Sequence, residues 1–154
     1  MAKLSAGDIA PDFSLTDQNN NLVKLDAYKG KKLLVYFYPK ADTSGCTKQA
    51  CNVRDSLQEL GSLNVSAIGI SPDKPDKQKK FDEKYSLGFP LLSDSNNLVA
   101  KSYGAWGEKK MYGKSYEGII RSAFLIDENG KIINAWYKVS PGETASNVLK
   151  ALSH

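Results

Sequence analysis

Histidine and cysteine, the usual ligands of structural metals, are scarce in this 154-residue sequence. It contains two cysteines, Cys46 and Cys51, and one histidine, His154, which is the last residue. A structural zinc site needs four ligands of this kind, and a residue at a chain end is the first to fray. We therefore expect no metal site and no other cofactor.

Long apolar runs are also missing. None approaches the ~20 residues that a membrane-spanning helix needs, and the first residues, Met1 to Asp8, lack the apolar core of a secretory signal. We therefore expect no membrane association and a cytoplasmic location. Because the cytosol keeps thiols reduced, two cysteines there are more often redox-catalytic, metal-binding or inert than part of a structural disulfide.

The positive charge is not arranged as a nucleic-acid-binding surface. The formal net charge is +4, and lysines are densest in residues 74–84, where Asp76, Asp82 and Glu83 lie among them. Such a mixed run is typical of the solvated face of a helix. No basic stripe is interleaved with aromatic residues, so we expect no nucleic-acid partner.

The apolar pattern predicts one α/β domain over residues 1–154. Residues 33–38 form a continuous apolar run, which is typical of a strand buried on both faces. The predicted elements are a hairpin over 13–25, strand 33–38, helix 44–60, strand 65–71, helix 74–85, strand 89–92, helix 96–103, a loop over 104–118, strands 121–127 and 131–138 around a turn, and helix 143–152. Strands that alternate with helices indicate a central sheet with helices on both faces.

Cys46 lies in the first turn of predicted helix 44–60, just after the carboxyl end of strand 33–38. In open α/β sheets, ligands bind at this edge. The free amides of a first turn and the helix dipole favour a negative charge, and the thiolate is the nucleophilic form of cysteine. Two simpler interpretations stay open: Cys46 could be an inert core thiol, and Thr43 or Ser44 could cap the helix.

The two cysteines are poorly placed for a disulfide on an intact helix. Cys46 continues an apolar stripe formed by Ala50, Val53, Leu57 and Leu60, whereas Cys51 points about 140° away. Ideal helix geometry puts their Cα atoms about 8.7 Å apart, and a disulfide needs roughly 4.4–6.8 Å. Either the cysteines never meet, or the helix opens.

The pattern Pro39-x-x-x-Thr43-x-x-Cys46 resembles the peroxidatic motif of the peroxiredoxins. Cys51, five residues on, resembles the resolving position of their bacterioferritin-comigratory-protein branch, also called the Q type, an atypical two-cysteine group. Similarity extends to residues 7–13, 69–73, 89–94 and 118–127, the last of which contain Arg121. The resemblance implies a thioredoxin-like fold with a central mixed β-sheet flanked by helices and an N-terminal β-hairpin.

The same resemblance implies a thiol-dependent peroxidase that reduces hydrogen peroxide and organic hydroperoxides. Cys46 would attack the O–O bond and become sulfenic acid, and Cys51 would resolve it as an intramolecular disulfide that thioredoxin or a similar dithiol reduces. Thr43 would hydrogen-bond the peroxide, Pro39 would shield the thiolate from water, and Arg121 would stabilise the thiolate and orient the peroxide. Because both thiols lie in one chain, we expect a monomer.

Two other functions remain possible at this point. A thioredoxin-like disulfide reductase would be expected to carry C-x-x-C, whereas four residues separate Cys46 from Cys51. A chaperone or binding module on the same fold would not be an enzyme. Catalytic consumption of hydrogen peroxide with a dithiol reductant distinguishes the peroxidase from both.

Overall fold

The structure of the chain is a computed structural model that describes residues 3–153, except for the side chain of Met111; His154 lies outside the described residues. Its strands are β1 (Ser14–Thr16), β2 (Leu22–Lys24), β3 (Lys32–Phe37), β4 (Val65–Ser71), β5 (Leu91–Ser93), β6 (Trp106–Met111), β7 (Lys114–Ile119), β8 (Ser122–Ile126) and β9 (Ile132–Trp136). Its helices are α1 (Ser44–Asp55), α2 (Leu57–Ser62), α3 (Pro75–Tyr85), α4 (Leu98–Ser102) and α5 (Thr144–Leu152).

Seven strands form one mixed sheet in the order β2-β1-β5-β4-β3-β8-β9. Strands β3, β4 and β5 run parallel, and β8 and β9 continue the sheet in antiparallel pairs on the other side of β3. The hairpin of β1 and β2 joins at β5, where Thr16 pairs with Ser93. The predicted central mixed sheet with an N-terminal hairpin is confirmed.

Strand β3 occupies the middle of the sheet because it is apolar on both faces. Successive side chains of a strand point to opposite faces. Leu34 and Tyr36 belong to the core cluster that includes Val53 of α1, Phe81 of α3 and Val148 of α5. The alternate β3 residues belong to a second cluster, which includes Ala100 of α4. Helices therefore cover both faces, as predicted.

Two predictions about secondary structure are wrong. The expected single helix 44–60 is two helices, α1 and α2, which meet at Ser56. Ser56 has φ −104° and ψ 2°, and its amide donates to Val53 O at 3.0 Å, three residues back instead of four. This tighter bond marks the break between the two helices. Both cysteines lie in α1, and Leu60 lies in α2.

The second wrong prediction is the loop over 104–118. Strands β6 and β7 form an antiparallel hairpin there, from the Trp106–Ile119 pair to the Met111–Lys114 pair. Its two-residue turn has positive φ at Tyr112 (54°) and at Gly113 (77°). A type I′ hairpin turn needs this conformation, usually with Asn or Asp at the first position, and a tyrosine there hid the hairpin from the sequence analysis.

The other predicted elements lie within two residues of the observed ones at each end. Among the described helices, none combines the length and the apolar character that crossing a membrane would require.

Candidate active site

Cys46 lies at the start of α1, beyond the carboxyl end of β3. The first helical hydrogen bond runs from the Thr47 amide to Thr43 O at 2.8 Å, so the amides of the first turn precede the internal hydrogen-bond ladder of the helix. The Cys46 side chain is only 1% exposed and packs in the core cluster between α1 and the sheet. The thiol is therefore held rigidly at a helix N-terminus, where a negative charge is favoured.

Arg121 brings a fixed positive charge to this sulfur. It lies between β7 and β8, 75 residues after Cys46, and its Nη2 donates to Cys46 Sγ at 3.4 Å. The amide of Val139 donates to Arg121 O at 2.9 Å and holds the backbone in place. The guanidinium thus presents a fixed positive charge and a hydrogen-bond donor at the sulfur.

Gln49 orients the guanidinium, and the sequence analysis did not single it out. Its Oε1 accepts from Arg121 Nη1 at 2.7 Å, and its Nε2 donates to Thr144 Oγ1 at 3.0 Å. Gln49 and Thr144 are fully buried. Gln49 follows Cys46 by three residues and so shares its helix face; a polar side chain on an otherwise apolar stripe is the signal that could have identified it.

Gly45 leaves room for the arginine. A Cβ atom at this position would lie 3.0 Å from Arg121 Nη2 and 3.7 Å from Pro141 Cγ. The first contact is closer than ordinary van der Waals packing, so a larger residue would push the guanidinium away from the sulfur. Glycine at this position therefore allows the Arg121 guanidinium to approach the backbone of α1. The backbone conformation of residue 45 does not itself require glycine.

Thr43 occupies the N-cap position of α1, but its side chain does not cap the helix. Its hydroxyl donates instead to Lys40 O at 2.9 Å, within the loop that joins β3 to α1. The interpretation that Thr43 or Ser44 caps the helix through its side chain is therefore wrong. Thr43 is exposed and Pro39 is half-buried.

The loop from Pro39 to Thr43 is anchored at two points. The Ala41 amide donates to Asp73 Oδ2 at 2.7 Å. Asp42 accepts from Lys84 Nζ at 2.9 Å and from the Tyr85 hydroxyl at 2.8 Å. The hydrogen bond from Lys84, together with that from Tyr85, lowers the pKa of Asp42. These contacts tie the loop to α3 and to the residue Asp73 just before it.

Cys51 lies in the same unbroken helix as Cys46. It is half-buried, packs against the core cluster on the α1 side of the sheet, and is a free thiol, as is Cys46. The separation of about 8.7 Å expected from ideal helix geometry applies to this pair. No disulfide between them is compatible with the intact helix.

An open cavity of about 670 Å³ leads to Arg121 and is walled partly by the β6–β7 hairpin. Its lining residues are Pro39, Glu108, Lys109, Lys110, Ile120, Arg121 and Lys138. Of the predicted site residues, the structure thus brings Pro39 and Arg121 to one cavity, with Cys46 against the guanidinium. The contribution of the hairpin could not be predicted, because the sequence of residues 104–118 indicated a loop.

A family model described as the AhpC/TSA family matches residues 6–135 of the chain. The chain is 54% identical over 132 residues to peroxiredoxin Bcp of Escherichia coli, a match that covers 86% of this chain and 85% of the relative. The chain belongs to the peroxiredoxins. Within them it falls in the bacterioferritin-comigratory-protein or Q branch, so the predicted family is confirmed.

Solved structures of this branch share the fold. The bacterioferritin comigratory protein of Xanthomonas campestris, described with its alkyl peroxide reduction activity, is 34% identical with a TM-score of 0.85, over 91% of this chain and 89% of the other. Peroxiredoxin Q of Xylella fastidiosa is 29% identical with a TM-score of 0.91, over 99% and 97%. The peroxiredoxin described here therefore has the expected thioredoxin-like fold.

The family also decides between the functions that the sequence left open. This peroxiredoxin is a thiol-dependent peroxidase, with peroxide as its substrate and a thioredoxin-type reductant. The comparisons therefore favour the peroxidase over the disulfide reductase and over the non-enzymatic binding module. Within residues 3–153, no three His, Cys, Asp or Glu side chains are grouped as a metal site would require.

Proposed function

We propose that Cys46 is the peroxidatic cysteine and that Arg121 activates it. The observation that carries this assignment is the 3.4 Å contact between Arg121 Nη2 and Cys46 Sγ. The sulfur attacks the nearer oxygen of the peroxide, an S–O bond forms and the O–O bond breaks. The sulfur is oxidised to sulfenic acid, and the departing oxygen takes a proton and leaves as water or an alcohol.

Three residues assist this step. Arg121 stabilises the thiolate and then the negative charge that develops on the leaving oxygen. Pro39, at the wall of the cavity, shields the sulfur from water. Thr43 hydrogen-bonds the peroxide; since its hydroxyl donates to Lys40 O in the structure, it accepts from the peroxide or rotates to donate.

Cys51 is proposed as the resolving thiol. Its sulfur attacks the Cys46 sulfenic acid, the S–S bond forms, the S–O bond breaks, and water leaves. The helix geometry requires the first turns of α1 to open before this step. A dithiol reductant, which we take to be thioredoxin, then reduces the disulfide and restores both thiols. Because one chain supplies both, the enzyme is proposed to act as a monomer, and to do so in the cytoplasm.

Serine variants test the division of labour between the thiols. Cys46→Ser is expected to abolish peroxide consumption, whereas Cys51→Ser keeps the first oxidation of Cys46 and loses recycling by thioredoxin. Stopped-flow oxidation with one equivalent of hydrogen peroxide, followed by mass spectrometry of the oxidised thiol, measures both steps. Equal loss of the first oxidation in the two variants would show that the assignment is wrong.

Arg121→Ala is expected to slow that first oxidation across the whole pH range, because the leaving oxygen loses its stabilising charge. Arg121→Lys keeps the charge but not the two-pronged geometry, and is expected to lie between the wild type and the alanine variant. A rate constant unchanged across pH in Arg121→Ala would assign Arg121 to structure alone.

A further inference from the structure

The cavity outside Cys46 is strongly cationic. Lys109, Lys110, Arg121 and Lys138 line it, and Glu108 is the one acidic residue among the lining residues. The salt bridges found in the described part of the chain involve none of these lysines. Such a surface attracts anions and raises their local concentration.

Among the cavity lysines, Lys109 is the one whose side chain lies partly buried along the β6–β7 hairpin. Its stem crosses the neighbouring strand, where a Cβ atom at Gly118 would touch Lys109 Cδ at 3.4 Å. The side chain is half-buried, and its ammonium is close enough to the Arg121 guanidinium for the two positive charges to repel each other. Burial, and next the guanidinium, lower the pKa of Lys109. An anion bound beside both cations would relieve the repulsion between them.

The size of the cavity points to a substrate larger than hydrogen peroxide. A water molecule occupies about 30 Å³ in the liquid, and hydrogen peroxide has only one more heavy atom. The cavity of about 670 Å³ therefore has room for the organic part of a hydroperoxide. Pro39 and Ile120 also line the cavity and offer apolar contacts, so the lining suits a short carbon chain that ends in a negative charge.

We propose that Lys109, with the cations beside it, forms a subsite for a carboxylate on the substituent of an organic hydroperoxide. The enzyme then distinguishes hydroperoxides by charge as well as by size. The inference rests on the proposed role of Cys46, because the subsite lies beside the guanidinium that contacts its sulfur. Lys109 acts on specificity and takes no part in breaking the O–O bond.

A matched pair of substrates tests the subsite. The carboxylate is 3-hydroperoxy-3-methylbutanoate, and its methyl ester is the neutral counterpart with the same reacting group. The readout is the ratio of their second-order rate constants for oxidation of Cys46. A partly exposed ion pair contributes up to about 1 kcal/mol, so Lys109→Gln is expected to lower the carboxylate-to-ester ratio by about fivefold. Lys109→Glu is expected to lower it further.

Two control variants separate this effect from general charge. Lys109→Arg keeps the positive charge and is expected to keep the ratio. Lys114→Gln removes a lysine from the same hairpin that is exposed and not among the cavity residues, and is expected to leave both rate constants unchanged. Raising the salt concentration is expected to reduce the ratio in the wild type more than in Lys109→Gln.

The inference is overturned if Lys109→Gln leaves the ratio unchanged, or if it lowers both rate constants equally. It is also overturned if the variant only weakens recycling by thioredoxin, which would assign the cationic rim to an acidic protein reductant. The proposed function fails separately, if Cys46→Ser still consumes either hydroperoxide.

Discussion

Oxidation should open the first turns of α1 while the sheet beneath it stays intact. The perturbation is one equivalent of hydrogen peroxide, which should take the enzyme to the proposed disulfide between Cys46 and Cys51. Their Cα atoms must approach from about 8.7 Å to less than about 6.8 Å. A rigid helix cannot provide this change, so the residues between the two thiols must leave the helical conformation.

The structure gives the cost of this opening. The amides of residues 47–51 bond four residues back, which is five helical hydrogen bonds. At about 0.5–1.5 kcal/mol each, their loss costs about 2.5–7.5 kcal/mol. The hydrogen bonds that Gln49 makes to Arg121 and Thr144 would break as well. In the oxidised enzyme the new covalent bond offsets these losses.

Opening should stop near the end of α1, which is anchored to other elements. Asn52 Oδ1 accepts from the Ala145 amide at 3.0 Å, and Arg54 Nη1 donates to Tyr85 O at 2.7 Å. Neither contact lies between the two cysteines. We therefore expect the loss of structure to be largest over residues 47–51 and to fade after Asn52.

Hydrogen exchange measured by mass spectrometry or NMR checks this expectation. Amides 47–51 should exchange at least about 50-fold faster in the disulfide form than in the reduced form, since 1.4 kcal/mol corresponds to a factor of ten. Amides of β3 should keep their protection. The Cys51→Ser variant treated with peroxide is the control, because it cannot form the disulfide. Equal protection of amides 47–51 in the reduced and disulfide forms would refute resolution by local opening within one chain.

Three further predictions concern single substitutions. Gly45→Ala should displace the Arg121 guanidinium and slow oxidation of Cys46, by about tenfold if its contact with the sulfur is lost, as a charge-assisted bond of about 1.5 kcal/mol implies. Tyr36→Phe should leave stability to urea unchanged or raise it by about 1 kcal/mol, because the buried Tyr36 hydroxyl has no hydrogen-bond partner among the described residues. Asp42→Asn should destabilise the protein only at pH values above about 4. The pKa of Asp42 is lower in the folded state than in the unfolded state, so its carboxylate adds stability that is lost as the pH falls through the folded-state pKa.

Each substitution has a matched control. Gly61→Ala places a Cβ where no described atom lies within 4 Å, so it should not slow oxidation. Tyr103→Phe removes a hydroxyl that donates to Pro11 O at 2.6 Å, so it should cost about 1 kcal/mol. Lys84→Met should abolish most of the pH-dependent difference between the wild type and Asp42→Asn. Stability gained by Tyr103→Phe but not by Tyr36→Phe would contradict the prediction for the Tyr36 hydroxyl. A destabilisation by Asp42→Asn that persists at pH 2 would contradict the prediction for the Asp42 carboxylate.

Several features of this enzyme could be predicted from sequence because their causes are local. The apolar run of β3 predicts a central strand, since burial on both faces leaves no position for a polar side chain. Pro39 ends the strand, and the predicted helix begins a few residues later. Cys46 could therefore be placed in the first turn of that helix from the sequence. The five-residue interval to Cys51 predicts, from helix geometry alone, that the two thiols are too far apart to form a disulfide while the helix is intact.

Other features depended on contacts between distant parts of the chain. Arg121 could be singled out by resemblance, but its direction toward Cys46 is set by Gln49, by Gly45 and by the position of β8 beside β3. The hairpin that carries Lys109 depends on a positive φ at Tyr112, which no local preference of tyrosine predicts. Hydrophobic periodicity reports how each segment is buried, whereas the partner of each polar group is decided only when the segments pack. For that reason Cys46 could be proposed as the nucleophile from the sequence, whereas the charged cavity at Arg121 could be recognised only from the fold.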